Sequence, residues 1–275
     1  MLPSFLLAFR EGLEAALIIG IVLGVLHRLH RHELKPIVWR GAGLAALLSL
    51  GVGFGLNLVG AKFEGQAEEA FEGVLMLLAA GVLTWMILWM QRQGNQIRRE
   101  IENKTREAAL KAGRGALFFL AFLAIFREGV ELALFLLAAS LTSGWANTII
   151  GGFLGLGGAI TLGWILFAST RRLDVRRFFQ VTSILLILFA AGLVGLGVHE
   201  LNEAGWIPPV IEHVYDVNFF LDETTPLGLI LRALFGYNAN PSLTELVAYA
   251  GYFIILTFIH LKNQRNQLAA EVQSA

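Results

Sequence analysis

Apolar residues along this chain fall into seven long blocks, at roughly 4–26, 37–60, 71–90, 115–140, 147–169, 179–200 and 244–261. Each is close to the length, about 20 residues, that crosses the hydrocarbon core of a bilayer as a helix. Backbone facing lipid has to satisfy its own hydrogen bonds, which excludes open sheet in such segments. The pattern therefore predicts an all-α integral membrane protein with seven transmembrane helices. The polar intervals alternate in sign. His27 to Arg40, Gln91 to Arg114, Thr170 to Arg177 and the tail with Lys262 and Arg265 hold most of the 21 Lys and Arg residues. Lys62 to Glu72, Leu141 to Thr148 and His199 to Glu245 are acidic or nearly uncharged. Basic connections stay on the cytoplasmic side, which predicts the N-terminus outside and the C-terminus in the cytoplasm. The opening Met1-Leu2-Pro3-Ser4-Phe5 has no basic stretch, and Arg10, Glu11 and Glu14 interrupt the block behind it, so it reads as a retained span rather than a cleaved leader.

The blocks repeat. Arg10-Glu11-Gly12-Leu13-Glu14 in span one returns as Arg127-Glu128-Gly129-Val130-Glu131 in span four. Leu77-Leu78-Ala79-Ala80-Gly81-Val82-Leu83 in span three is echoed by Leu188-Phe189-Ala190-Ala191-Gly192-Leu193-Val194 in span six. Two three-helix units follow, and an odd unit length inverts the second relative to the first, an arrangement transporters use with the site at the repeat interface. One transmembrane permease domain then covers 1–275: repeat one at about 1–92, repeat two at about 113–203, an external connection at about 204–243 with a short helix near Leu227 to Leu234, and a seventh helix at about 244–261.

Composition sharpens this picture without changing it. Hydrophobic residues make up 56% and charged residues 15% of the chain, against about 45–50% and about 25% in soluble domains. The absence of Cys removes disulfides, thiolate metal sites and iron–sulfur clusters. The balanced net charge gives no bulk attraction to nucleic acid.

The chemistry lies in the two R-E-G-x-E motifs, each several residues inside its span. Their glutamates are three apart and share a helix face, and each Arg stands four residues before the second Glu on the same side. Gly12 and Gly129 remove a side chain beside the acids and admit a neighbouring helix. A charge at mid-membrane costs roughly 2.5–3.5 kcal/mol, so six cost on the order of 15–20 kcal/mol if left alone, more than a typical folding stability of about 5–15 kcal/mol. They have to pair, protonate, line water or bind something. Arg10 and Arg127 neutralise two of the four acids and leave a negative, oxygen-lined site suited to a hard cation. A structural ion-pair network and a proton relay are the competing readings. Donor chemistry alone leaves iron, manganese, calcium and magnesium open.

These motifs identify a resemblance. The paired R-E-G-x-E sequences, with Phe71-Glu72-Gly73, Leu83-Thr84-Trp85-Met86, Ala190-Ala191-Gly192-Leu193, Glu203-Ala204-Gly205, Phe235-Gly236-Tyr237, Pro241-Ser242 and Glu245, are similar to the oxidase-dependent iron permease family, in both its fungal FTR-type and its bacterial branches. The resemblance implies transport of ferric or ferrous iron across the cytoplasmic (inner, plasma) membrane, with Glu11, Glu14, Glu128 and Glu131 as metal ligands. Arg10 and Arg127 then orient the acids. Iron is the transported substrate, and no cofactor is permanently bound. The partners it implies are iron ions and membrane lipid, together with a periplasmic iron-binding protein and a haem peroxidase or other ferroxidase. The alternatives are a transporter for another divalent cation such as manganese, or a membrane-embedded carboxylate di-iron enzyme; the latter usually adds Glu-x-x-His motifs, and no His falls in these sequences.

Glu72 and Glu203, at the outer ends of spans three and six, form a candidate outer access site for the cation. His27, His30 and His32 read as an interfacial basic cluster near anionic lipid. Trp85 and Trp89 read as part of an interfacial aromatic belt.

Overall fold

A computed structural model describes every residue except 94, 95, 169–174, 220, 222–224 and 275. Asp222, Glu223 and much of the basic connection from Thr170 to Arg177 lie outside the described residues. The regular structure of the described residues is all helical: α1 (Leu2–Arg28), α2 (Lys35–Gly60), α3 (Gln66–Gln93), α4 (Gln96–Glu107), α5 (Gly113–Ser143), α6 (Trp145–Ala168), α7 (Val175–Glu203), α8 (Pro226–Phe235) and α9 (Leu243–Ser274). A single π-helical turn, Ala108–Ala112, joins α4 to α5. Pro sits in the first turn of α1, α2 and α8, where its missing N–H costs nothing.

Among the described residues, five helices are long and apolar enough to cross a membrane on length and composition: His32–Gly60 with its leading turn, Gln66–Met90, Trp145–Ile165, Gln180–Glu203 and Leu243–Lys262. The other two predicted spans, α1 and α5, are 27 and 31 residues long. Their apolar runs are broken by three charges each, the R-E-G-x-E residues themselves. Large apolar side chains stand exposed along α2 (Leu47, Leu50, Phe54), α6 (Phe153, Ile160, Trp164) and α9 (Ile254, Ile255, Phe258). Water does not tolerate apolar bands of that extent, whereas lipid does. This is a membrane protein. The amphipathic linker helix α4 is polar overall and tethers to α1 through Arg28 Nη2 and Glu102 Oε1 at 3.2 Å.

The chain forms two compact units. The first joins Met1–Glu64 to Gly81–Ile187, and the second joins Gly65–Ala80 to Leu188–Ala275. In the first, α1 packs along α6 and α2 along α5, with α1 also against α5. Small residues make this closeness possible. A Cβ at Gly41 of α2 would stand 2.7 Å from the Phe118 carbonyl of α5, and one at Gly151 of α6 would collide with the Met1 carbonyl. Further along, Gly53 meets Ala133 and Gly163 meets Ala16. Residue numbers rise together in both pairs, so α2 runs parallel to α5 and α1 parallel to α6.

In the second unit, Gly73 of α3 abuts the Gly197 carbonyl and Leu201 of α7, and Gly192 of α7 abuts Phe235 and Gly236. Gly236, at φ 66°, ends α8 in the left-handed region that glycine adopts without a Cβ penalty. The predicted helix at Leu227 to Leu234 is α8. Thr225 caps its start by accepting from the Gly228 N–H at 3.1 Å.

Candidate metal site

The site is built where α1 and α5 meet. Both are good helix formers through the motif, so the i, i+3 spacing of the glutamates becomes a common face and the i, i+4 spacing becomes an ion pair. Arg10 Nε donates to Glu14 Oε1 at 3.2 Å, and Arg127 Nε donates to Glu131 Oε1 at 2.8 Å. Arg127 also stands 4.0 Å from Glu128 Oε1.

Three of the four predicted ligands converge. One carboxylate oxygen from each of Glu11, Glu128 and Glu131 lies within 4.8 Å of the others, and all three side chains are buried. Apart from one another, both oxygens of Glu11 and Oε2 of Glu128 and of Glu131 have no hydrogen-bond partner among the described residues. Buried carboxylates left this way are costly unless a cation or protons satisfy them. Oxygen-only donors at this spacing suit a hard or borderline divalent ion. Glu14, the fourth predicted ligand, stands outside the trio. It is held by Arg10, and its charge acts on both Glu11 and Glu128.

The motif glycines serve the packing role expected of them. A Cβ at Gly12 would stand 2.9 Å from Ala159 and 3.0 Å from Leu156 of α6. One at Gly129 would overlap Ser49 of α2. Ser49, which nothing in the motifs signals, bonds to the Ala45 carbonyl at 2.9 Å and reaches the Phe126 carbonyl of α5 at 3.4 Å.

The two arginines differ. Arg10 is wholly buried and places Nη2 3.5 Å from the sulfur of Met90, while its Nη1 has no partner among the described residues. The Arg127 side chain is 38% exposed, and its guanidinium carbon lies 5.0 Å from the ring centre of Trp89 and 5.7 Å from that of Trp85. The indoles expected to serve a lipid-interface belt thus also receive a motif arginine.

The iron permease FTR1 family matches residues 1–263. This chain belongs to the iron permease FTR1 family. Curated relatives include ferrous iron permease EfeU of Escherichia coli O6:K15:H31, 34% identical over 92% of this chain and 93% of the relative, and ferrous iron permease EfeU of Yersinia pestis, 32% identical over 100% of this chain and 98% of the relative. The counterpart in Escherichia coli K12, also 34% identical, is described as inactive. No solved structure matches the chain. As a member of this family the protein is a permease and not an enzyme.

Glu72 and Glu203, the acids expected at the outer face of this FTR1-family chain, fall in the second unit. Glu203 does not stand free: His199 Nε2 lies 3.3 Å from its Oε1, and His199 Nδ1 lies 3.5 Å from Oε2 of Glu245. Glu245 is buried and also accepts from Asn238 at 3.0 Å. Glu200 feels the charges of both Glu72 and Glu203. Sequence reasoning singled out Glu72 and Glu203 as an access site and named Glu245 only among the residues of the family resemblance; it lies buried at a capped helix start. There the Glu245 N–H donates to Ser242 Oγ, which accepts from Asn202 in turn.

Proposed function

We propose that this protein carries iron across the cytoplasmic membrane into the cell, with Glu11, Glu128 and Glu131 as the ligands that replace the ion's water. The observation that carries the reading is the buried carboxylate trio, drawn from both R-E-G-x-E motifs and left with unpaired oxygens. Arg10 and Glu14 compensate each other. The trio with Arg127 then holds a net charge near −2, which a divalent ion neutralises. Ferrous iron is the form we propose, in keeping with the names of the relatives.

Seven spans and two inverted repeats complete the reading. Mirrored contacts support it. Gly41 meets Phe118, Ala121 and Phe122 as Gly151 meets Met1, Ser4 and Phe5. Gly129 meets Ser49 as Gly12 meets Ala159. Each motif helix therefore packs on the second helix of the other repeat through equivalent positions. Charge alternation in the connections places the N-terminus outside. Glu72 and Glu203, with Glu200, would draw cations to the outer face.

Uptake of radiolabelled iron into proteoliposomes tests the proposal, with ferrous and ferric iron compared and manganese, zinc and calcium as competitors. Wild-type uptake of ferrous iron, lost in Glu11→Gln and in Glu131→Gln, is the expected result. Unimpaired uptake by both folded variants would refute it.

A further inference from the structure

The two motif arginines are equivalent in sequence but not in what they neutralise. Arg10 holds Glu14, which stands outside the carboxylate trio; Arg127 holds Glu131 and approaches Glu128, both inside it. A cation entering the trio therefore competes with Arg127 and leaves the Arg10 pair intact. A displaced guanidinium within a membrane span needs another partner. One is already in contact. Trp85 and Trp89 stack with ring centres 6.3 Å apart and planes 25° from parallel, and the Arg127 guanidinium lies within cation–π reach of both. Among the described residues, its hydrogen bond to Glu131 runs through Nε alone. The group can pivot off the carboxylate without leaving the rings.

We propose that Arg127 is the displaceable counter-charge of the site, and that Trp85 and Trp89 are positioning residues that hold its guanidinium while the cation occupies Glu11, Glu128 and Glu131. The indoles suit this task because they stabilise a cation without adding a carboxylate that would trap the cargo. Once the cation leaves, Arg127 returns to Glu131 from a contact it never lost, and the site is reset. The inference rests on the transport reading above.

The test uses the full chain in liposomes with ferrous iron under anaerobic conditions. Trp89→Leu is expected to lower the maximal uptake rate about tenfold while moving the half-saturating concentration less than about threefold, because the lost contact acts on turnover rather than on the ligands. Trp89→Phe keeps a ring face and should retain at least about half the rate. Trp164→Leu, on the exposed face of α6, should transport as wild type does. Equal losses in the Leu and Phe variants, or a wild-type rate in Trp89→Leu, would overturn the proposal. Two readouts in detergent are independent of transport. Arg127→Gln should bind ferrous iron at least as tightly as wild type, since a competitor is gone; weakened binding would overturn the counter-charge role. Ferrous iron should change the near-ultraviolet circular dichroism of wild type but not of Arg127→Gln. That change without any wild-type uptake would sink the transport reading and leave the Arg127 exchange standing; no change would sink the exchange whatever the uptake.

Discussion

At the residue scale, the four motif glutamates separate into two roles that their identical spacing conceals. Glu11, Glu128 and Glu131 face one another, whereas Glu14 serves Arg10. Substituting any member of the trio with Gln should weaken ferrous iron binding by about tenfold or more, since a charged oxygen ligand is lost. Glu14→Gln should shift it less than about threefold, because that side chain supplies charge but no oxygen to the trio. Equilibrium binding of radiolabelled iron to purified variants decides between them, and equal losses at all four positions would show a four-carboxylate site instead. Arg10 offers a stability test. Its guanidinium is wholly buried against Glu14, and removing one partner of a buried pair costs about 3–5 kcal/mol. Arg10→Ala should unfold at markedly lower temperature than wild type in detergent, while Arg10→Ala combined with Glu14→Ala should recover part of the loss.

At the element scale, helices α1, α2, α5 and α6 are held at close range by glycines, three of which, Gly41, Gly151 and Gly155, abut backbone carbonyls. Backbone cannot rotate aside as a side chain can. Gly41→Ala, which drives a methyl against the Phe118 carbonyl, should destabilise by about 1–3 kcal/mol. Gly43→Ala, two residues on and with nothing within 4 Å, should be neutral or mildly stabilising through helix propensity. Thermal unfolding of the two variants side by side checks the contrast. The α1–α6 and α2–α5 pairs are legible in the sequence only in part. The glycines are visible, but a glycine that admits a neighbouring helix looks the same as one facing lipid, as Gly41 and Gly43 show.

At the scale of the whole molecule, the topology is open to a direct test because the chain contains no Cys. A single thiol introduced by Ala67→Cys, beside the acidic start of α3, should react with a membrane-impermeant maleimide in intact spheroplasts. One introduced by Glu33→Cys, in the basic turn between α1 and α2, should react only after permeabilisation. The opposite labelling pattern would reverse the orientation, and labelling of both from outside would remove a span.

The sequence by itself determined the class of molecule and its chemistry. Long apolar blocks require helices in lipid, and repeated charges within them require compensation by pairing, protonation, water or a bound ion, because both follow from solvation costs that are local to each segment. It also placed the two glutamates of each motif on one helix face, and it located α8. Only the tertiary structure decided which acids face one another and which stands apart beside an arginine, since that depends on how α1 and α5 are rotated against each other. The same holds for Ser49, Met90 and Glu245, which gain meaning only from neighbours far away in the chain. Trp85 and Trp89 show the physical reason most plainly. An indole in an apolar helix carries the same sequence signal whether it faces lipid headgroups or a guanidinium, and the partner that tells these apart lies about forty residues away on another helix.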